Sequence, residues 1–182
     1  EVIQKEQQKR SGQVTWVFKA DRVRDFAFAA SRKYIWDAMA VDLNGKKSLA
    51  MSYYPKEGNP LWEDHSTRAV RQALITYSRH TIDYPYPVAI SVHTASLGME
   101  YPMISFNFGR PKAVGSYTDE TKWRMISVII HEVGHNFFPM IINSDERQWT
   151  WMDEGLDSFI QSIATKDYDA NFPVGRGAPE NI

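Results

Sequence analysis

Apolar runs that read as strands come first along the chain and apolar residues at helical spacing come last, with one helical stripe between the strands. Val14-Thr-Trp-Val-Phe18 is β-branched and aromatic and reads as a strand, with Phe26-Ala-Phe28 as a second short apolar run. Trp36 to Leu43 and Ser48 to Tyr54 flank Asn44-Gly45, a pair that accepts the positive φ angles of a type I′ turn, so these two runs predict a hairpin. Val70, Ala73, Leu74 and Tyr77 then recur as one helical stripe, and Tyr84-Pro-Tyr-Pro87 forces an extended exit. Val88 to Val92 reads as a buried strand and Pro102 to Phe108 as an edge strand. A long helix is predicted from Glu120 to Phe138, stopped by Pro139. A last helix starts near Met152 and is expected to bury Leu156, Phe159, Ile160 and Ile163. Strands first and helices last, with one helix between, indicate an α+β fold.

Composition narrows the chemistry. With 182 residues the chain can bury a sizeable core. Its 21 Lys+Arg balance 22 Asp+Glu, which gives no electrostatic reason to expect a nucleic-acid partner. No apolar run is long enough to span a bilayer. Cysteine is absent, so any metal must be held by His, Asp or Glu. Polar residues 1–12 read as a linker or the edge of a preceding domain, 13–166 as the core, and 167–182 as a loop leading onward. The start at Glu1 and the Gly/Pro-containing end read as the limits of a piece of a longer protein.

The central motif is His131-Glu-Val-Gly-His135, inside the apolar run from Ile126 to Phe138. On a helix, residues four apart share a face, so both imidazoles can chelate one cation, and Glu132 stands beside it without being a ligand. The bland alternative is a solvated helix face. It conflicts with Val128, Ile129, Ile130, Val133 and Phe137 around the motif, because unpaired polar groups in such a helix cost several kcal/mol. A catalytic zinc needs a third protein ligand. The arrangement HExxHxxGxxH is excluded, since Phe138 and Ile141 stand where its Gly and last His would be. The other arrangement takes a glutamate from the next helix, and Glu154 follows His135 with eighteen residues between them. Read alone, Glu154 could simply complement a helix N-terminus.

HExxH, this spacing and Glu154-Gly155 together resemble the gluzincins of the aminopeptidase N family. That family also carries Gly-x-Met-Glu-Asn upstream of the zinc helix, and this chain has Leu97-Gly-Met-Glu-Tyr101 there. Met99 and Glu100 match; Leu97, Tyr101 and Phe137 depart from the common form. The resemblance spans Phe26 to Ile163 and implies a thermolysin-like catalytic domain, a mixed sheet packed on helices. It implies one zinc ion on His131, His135 and Glu154, with Glu132 as general base. Gly98, Met99 and Glu100 would bind substrate, Glu100 taking the free α-amino group of a peptide. Family members add an N-terminal β-domain, a C-terminal helical domain and a later catalytic tyrosine, and Tyr168 lies too close to Glu154 to be that tyrosine. Family habit implies a periplasmic or surface location.

Other residues are read more plainly. Asp153 and Asp157 flank the third ligand, and either can orient an imidazole or cap the last helix. His65, His80 and His93 lack ligand spacing and read as surface or structural. Trp123, Trp149 and Trp151 read as core, and Lys46-Lys47 as a solvated hairpin flank. A zinc endopeptidase and a non-catalytic zinc-stabilised module are the competing readings.

Overall fold

The computed structural model describes residues 2–7, 14–112 and 115–173. The Asn44-Gly45 turn sets its frame. Both residues have positive φ, 55° and 84°, and the Gly45 amide donates to Asp42 Oδ1 at 2.8 Å. Strands β3 (Tyr34–Leu43) and β4 (Lys46–Pro55) pair antiparallel on either side of the turn. Alternate residues of β4, namely Ser48, Ala50, Ser52 and Tyr54, are buried, as a half-covered sheet requires. Helix α1 (Leu61–His80) then crosses over to β5 (Val88–His93), which runs parallel to β4. Glu63 and Asp64 in its first turn, and Arg79 and His80 in its last, complement the helix dipole.

The sheet continues with β6 (Met99–Tyr101) and β7 (Ile104–Asn107) in the order β3-β4-β5-β7-β6. It is a mixed sheet: β5 and β7 are parallel, β6 and β7 antiparallel. The expected edge strand from Pro102 to Phe108 is corrected in two ways. A tight turn with Met103 at φ 67° divides the region, and the later strand, β7, is interior while β6 forms the edge. Helices α2 (Asp119–Gly134) and α3 (Trp151–Tyr168) complete a mixed α/β arrangement of one five-stranded sheet and three helices. Separately, β1 (Val2–Gln7) pairs antiparallel with β2 (Val14–Phe18), so a strand lies where the sequence read as a linker or domain edge. The rest of that stretch, residues 8–13, and the tail from residue 174 lie outside the described residues.

Four further expectations are corrected. Phe26 and Phe28 belong to no strand and are exposed. Helix α2 ends at Gly134 rather than Phe138. Phe138 is extended (φ −133°, ψ 112°), as a residue before proline prefers, and the chain passes into a wide turn over Asn136–Ile141. On α3, Leu156 and Phe159 are 45% and 64% exposed; Trp151, and Trp149 just before the helix, are also exposed rather than core. The buried face of α3 runs through Asp153, Asp157, Ile160 and Ala164, because that face packs on α1 and α2. Trp123 is partly buried and packs on Phe172.

Candidate metal centre

Helix α2 begins at Thr118, whose side chain accepts the Thr121 amide at 3.2 Å, and buries Met125, Ile126, Ile129, Ile130 and Val133 in the core. That anchoring fixes the direction in which His131 and His135 point. Their Nε2 atoms lie 3.2 Å apart. From the first turn of α3, Glu154 brings Oε2 to 3.2 Å from His131 Nε2 and 3.7 Å from His135 Nε2. The structure therefore brings together the three side chains that the spacing singled out.

The hydrogen bonds behind the rings decide what these atoms are. His135 Nδ1 lies 2.7 Å from the Phe138 carbonyl, which can only accept. The wide turn after α2 thus serves the site by turning that carbonyl back. His131 Nδ1 lies 2.7 Å from Asp157 Oδ2, with Gln161 Oε1 at 3.2 Å. The Gln161 amide nitrogen donates to Ser127 O and Oγ, both at 2.9 Å, so its oxygen faces the ring. Each Nδ1 must carry a hydrogen, which leaves each neutral ring with its lone pair on Nε2. Two lone pairs and a carboxylate oxygen so close together repel unless a cation lies among them. Donors about 2.0–2.2 Å from a tetrahedral zinc stand about 3.3–3.5 Å from one another, so this donor set fits the ion. Asp157 is also near both histidines, but it holds the opposite edge of the His131 ring and so cannot share an ion with its Nε2.

The metal-free chain meets the same repulsion with protons. Burial alone would lower the His131 pKa, but the hydrogen bond and charge of Asp157, helped by Glu132 and Glu154, raise it to about 9. Burial likewise opposes protonation of His135, yet the charges of Asp157 and Glu100 bring a net rise. Burial raises Asp157 against the pull of both histidines.

Glu132 is 6% exposed, and its Oε2 has no hydrogen-bond partner. Burial raises its pKa to about 7, opposed by the two histidines and assisted by Glu100. Glu100, on the edge strand β6, lies with Glu132 and His135 in a group whose ligand atoms fall within 4.8 Å of one another. Gly98 backs onto the same place. A Cβ there would stand 2.0 Å from Glu132 Oε1 and 2.7 Å from Val128 Cγ2, so any larger residue would displace the Glu132 carboxylate. Met99 is exposed. On the other flank, a cavity of about 1180 Å³ opens between α2 and α3, with His131, Glu154, Val128, Trp151 and Gln161 in its walls.

Of the two aspartates flanking Glu154, it is Asp157 that reaches an imidazole. Asp153 is buried, with Oδ1 unpartnered, and is hydrogen-bonded to neither ring. His65 is half-buried between the Tyr168 and Tyr117 hydroxyls, at 2.9 and 3.3 Å. His80 is exposed and His93 is buried against Trp62. Lys46 is exposed, but its amine reaches the Tyr84 and Pro85 carbonyls. Sequence reasoning missed Tyr77, Gln161 and Gly134. Tyr77 sits in an apolar stripe, and nothing in its spacing marks a hydroxyl aimed at Asp157. Gly134 sits inside the motif at a position open to any residue.

No protein-family model matches the chain, and no curated protein matches it in sequence. Solved structures do match in fold. Legionella pneumophila aminopeptidase A, crystallised with aspartic acid, is 15% identical with a TM-score of 0.61, over 74% of this chain and 16% of that one. The M1 zinc metallopeptidase of Deinococcus radiodurans is 16% identical with a TM-score of 0.53, over 74% of this chain and 29% of that one. A mutant of that enzyme bound to a Tyr-Ser-Ala substrate matches with a TM-score of 0.52, at 16% identity, over 75% and 29%. At such identities the likeness is one of fold, and the chain spans between 16% and 29% of these proteins' lengths. No helix among the described residues is long and apolar enough to cross a membrane.

Proposed function

We propose that this chain carries the zinc centre of a metallopeptidase that removes residues from the free N-terminus of peptides. The supporting observation is the meeting of His131 Nε2, His135 Nε2 and Glu154 Oε2, with both Nδ1 atoms committed to acceptors. In this reading residues 13–166 are the core of a thermolysin-like catalytic domain, and the three side chains hold one zinc. When bound, zinc supplies Lewis acidity toward a peptide carbonyl and makes a water more acidic.

The remaining chemistry belongs to the chain. Glu132, poised near neutrality by burial, takes a proton from the attacking water and returns it to the departing amine as the C–N bond breaks. A carboxylate with an ordinary low pKa would accept that proton less readily and a fully buried acid would not release it. Gly98 lets the substrate strand and Glu132 approach closely. Glu100 pairs with the α-ammonium of the substrate, which admits chain ends and rejects internal segments. The outer edge of β6 can align an extended peptide by its backbone.

The test has two parts. The zinc-equilibrated chain is analysed for metal, expecting one ion per chain. Aminoacyl-anilide and peptide turnover is measured on the chain and on whatever longer protein contains it. Glu132→Gln should keep the zinc and lose turnover, and full activity in that variant would refute its role as base. Glu100→Ala should lose substrates with free N-termini selectively; equal loss on blocked peptides would favour an endopeptidase. Zinc without any turnover would favour a non-catalytic module.

A further inference from the structure

Tyr77 lies on α1, fully buried, with its ring against Phe137 at 5.3 Å. Its hydroxyl is 2.9 Å from Asp157 Oδ1 and 2.9 Å from the Asp157 carbonyl. A hydroxyl has one proton, and the charged oxygen is the stronger acceptor. Asp157 thus has one oxygen on Tyr77 and the other 2.7 Å from His131 Nδ1. The terminal torsion of an aspartate is soft. A carboxylate held by a single contact can turn away from the imidazole, whereas one pinned at both oxygens cannot.

Gly134 makes the approach possible. A Cβ there would stand 2.1 Å from Asp157 Oδ1 and 2.4 Å from the Tyr77 hydroxyl, both part of the pinned pair. The fourth residue of the HExxH segment is thus a notch in α2 into which a tyrosine from α1 and an aspartate from α3 fit together. Three helices meet there through one carboxylate.

We propose that Tyr77 is a positioning residue of the metal centre. It acts through Asp157 to hold the His131 ring and its Nδ1–H in the orientation that turns Nε2 toward His135 and Glu154. This rests on the zinc reading above and adds a residue from a helix that supplies no ligand.

The test compares the full chain with Tyr77→Phe, Asp157→Asn and the double variant. Zinc affinity is measured by chelator competition, and exchange of the His131 Nδ1 proton by NMR in the metal-free protein. Outer partners of metal ligands are worth about 10–100-fold in affinity. Tyr77→Phe should weaken zinc about 10-fold and Asp157→Asn at least as much. The double variant should be no worse than Asp157→Asn, since Tyr77 has no separate route to the ring. A residue that merely filled the core would show additive losses, or none. Either result, or a Tyr77→Phe affinity within about two-fold of the parent, overturns the proposal. If the unaltered chain takes no zinc, the peptidase reading falls, and the proton measurement decides separately. Faster exchange of the His131 proton in Tyr77→Phe sustains the positioning role, and unchanged exchange removes it.

Discussion

Helices α1 and α3 both pack on α2, yet they treat their side chains in opposite ways. On α1 the apolar residues go inside: Leu61, Trp62, Ala69, Val70, Ala73 and Leu74 are fully buried against the sheet and the other two helices. On α3 Asp153 and Asp157 are buried, while Trp151, Leu156 and Phe159 face out. The hydrophobic effect orders the first helix. On the first half of α3 the inward face is committed to the groups that surround the histidines. There burial is tolerated because the Tyr77 hydroxyl donates to Asp157 Oδ1 and the His131 ring stands 2.7 Å from Oδ2 as an ion-pair partner. A buried polar face opposite an exposed apolar one therefore marks a helix selected for a site as well as for a core.

The largest expected effects separate the core of α1 from the site that the inward face of α3 surrounds. His131→Ala should end stoichiometric zinc binding, a loss beyond the roughly 10–100-fold that an outer partner costs. The metal-free fold should lose stability as well, because Asp157 keeps Tyr77 but loses the His131 ring, so zinc binding is read where the variant is folded. Trp62→Ala should act on the core alone. Trp62 packs on Tyr54 and His93 and donates to the Gly109 carbonyl at 2.6 Å. Its truncation should destabilise the chain by about 3–5 kcal/mol and leave zinc affinity unchanged wherever the protein is folded. Denaturant unfolding and chelator competition on both variants check this. A large zinc defect in Trp62→Ala would mean that the two regions are not separable.

A smaller effect comes from the sheet side of α1. His93 is buried, its Nε2 unpartnered, and its pKa is lowered by burial and by Arg110, against weaker opposition from backbone hydrogen bonds and Glu57. Above the unfolded pKa near 6.5 both states are neutral and the residue is silent. Below it the unfolded chain binds a proton that the folded chain refuses, so stability falls as pH drops, by at most about 1.4 kcal/mol per pH unit. His93→Phe keeps a ring against Trp62 and removes the proton. Stability measured from pH 7 to 5 should fall less steeply in the variant, and equal slopes would show that His93 contributes nothing.

Legibility along the chain follows the same division. The hairpin, α1 and β5 were readable because local turn chemistry and apolar periodicity agree with burial there. The approach of His131, His135 and Glu154 to one another is readable because a helix converts a spacing of four into a shared face and these residue types carry distinctive chemistry. What could not be read depended on contacts remote in sequence. Tyr77 and Asp157 are eighty residues apart, and nothing local distinguishes that hydroxyl from one in a core. The end of α2 was misplaced because Phe138, apolar and helix-compatible by itself, yields to Pro139. The division of Pro102–Phe108 between β7 and the turn at Met103 depends on Asn136, whose Oδ1 accepts the Met103 amide at 2.7 Å from across the fold.

The smallest effect is the sharpest check on α3. Leu156, Phe159, Ile160 and Ile163 follow helical spacing, and by pattern alone all four would be buried. Yet Phe159 is 64% exposed while its neighbour Ile160 is buried. If the inward face of α3 is the one carrying Asp153, Asp157 and Ile160, Phe159→Ser removes no packing. Stability of the chain should then change by no more than about 0.5 kcal/mol, as at other exposed positions, with zinc affinity unaltered. Were the periodicity right, the same substitution would open a cavity in the core and destabilise by about 3 kcal/mol or more. Urea unfolding resolves a difference of that size. A large loss would rotate α3 about its axis, and that rotation would carry Asp157 away from His131 and Tyr77.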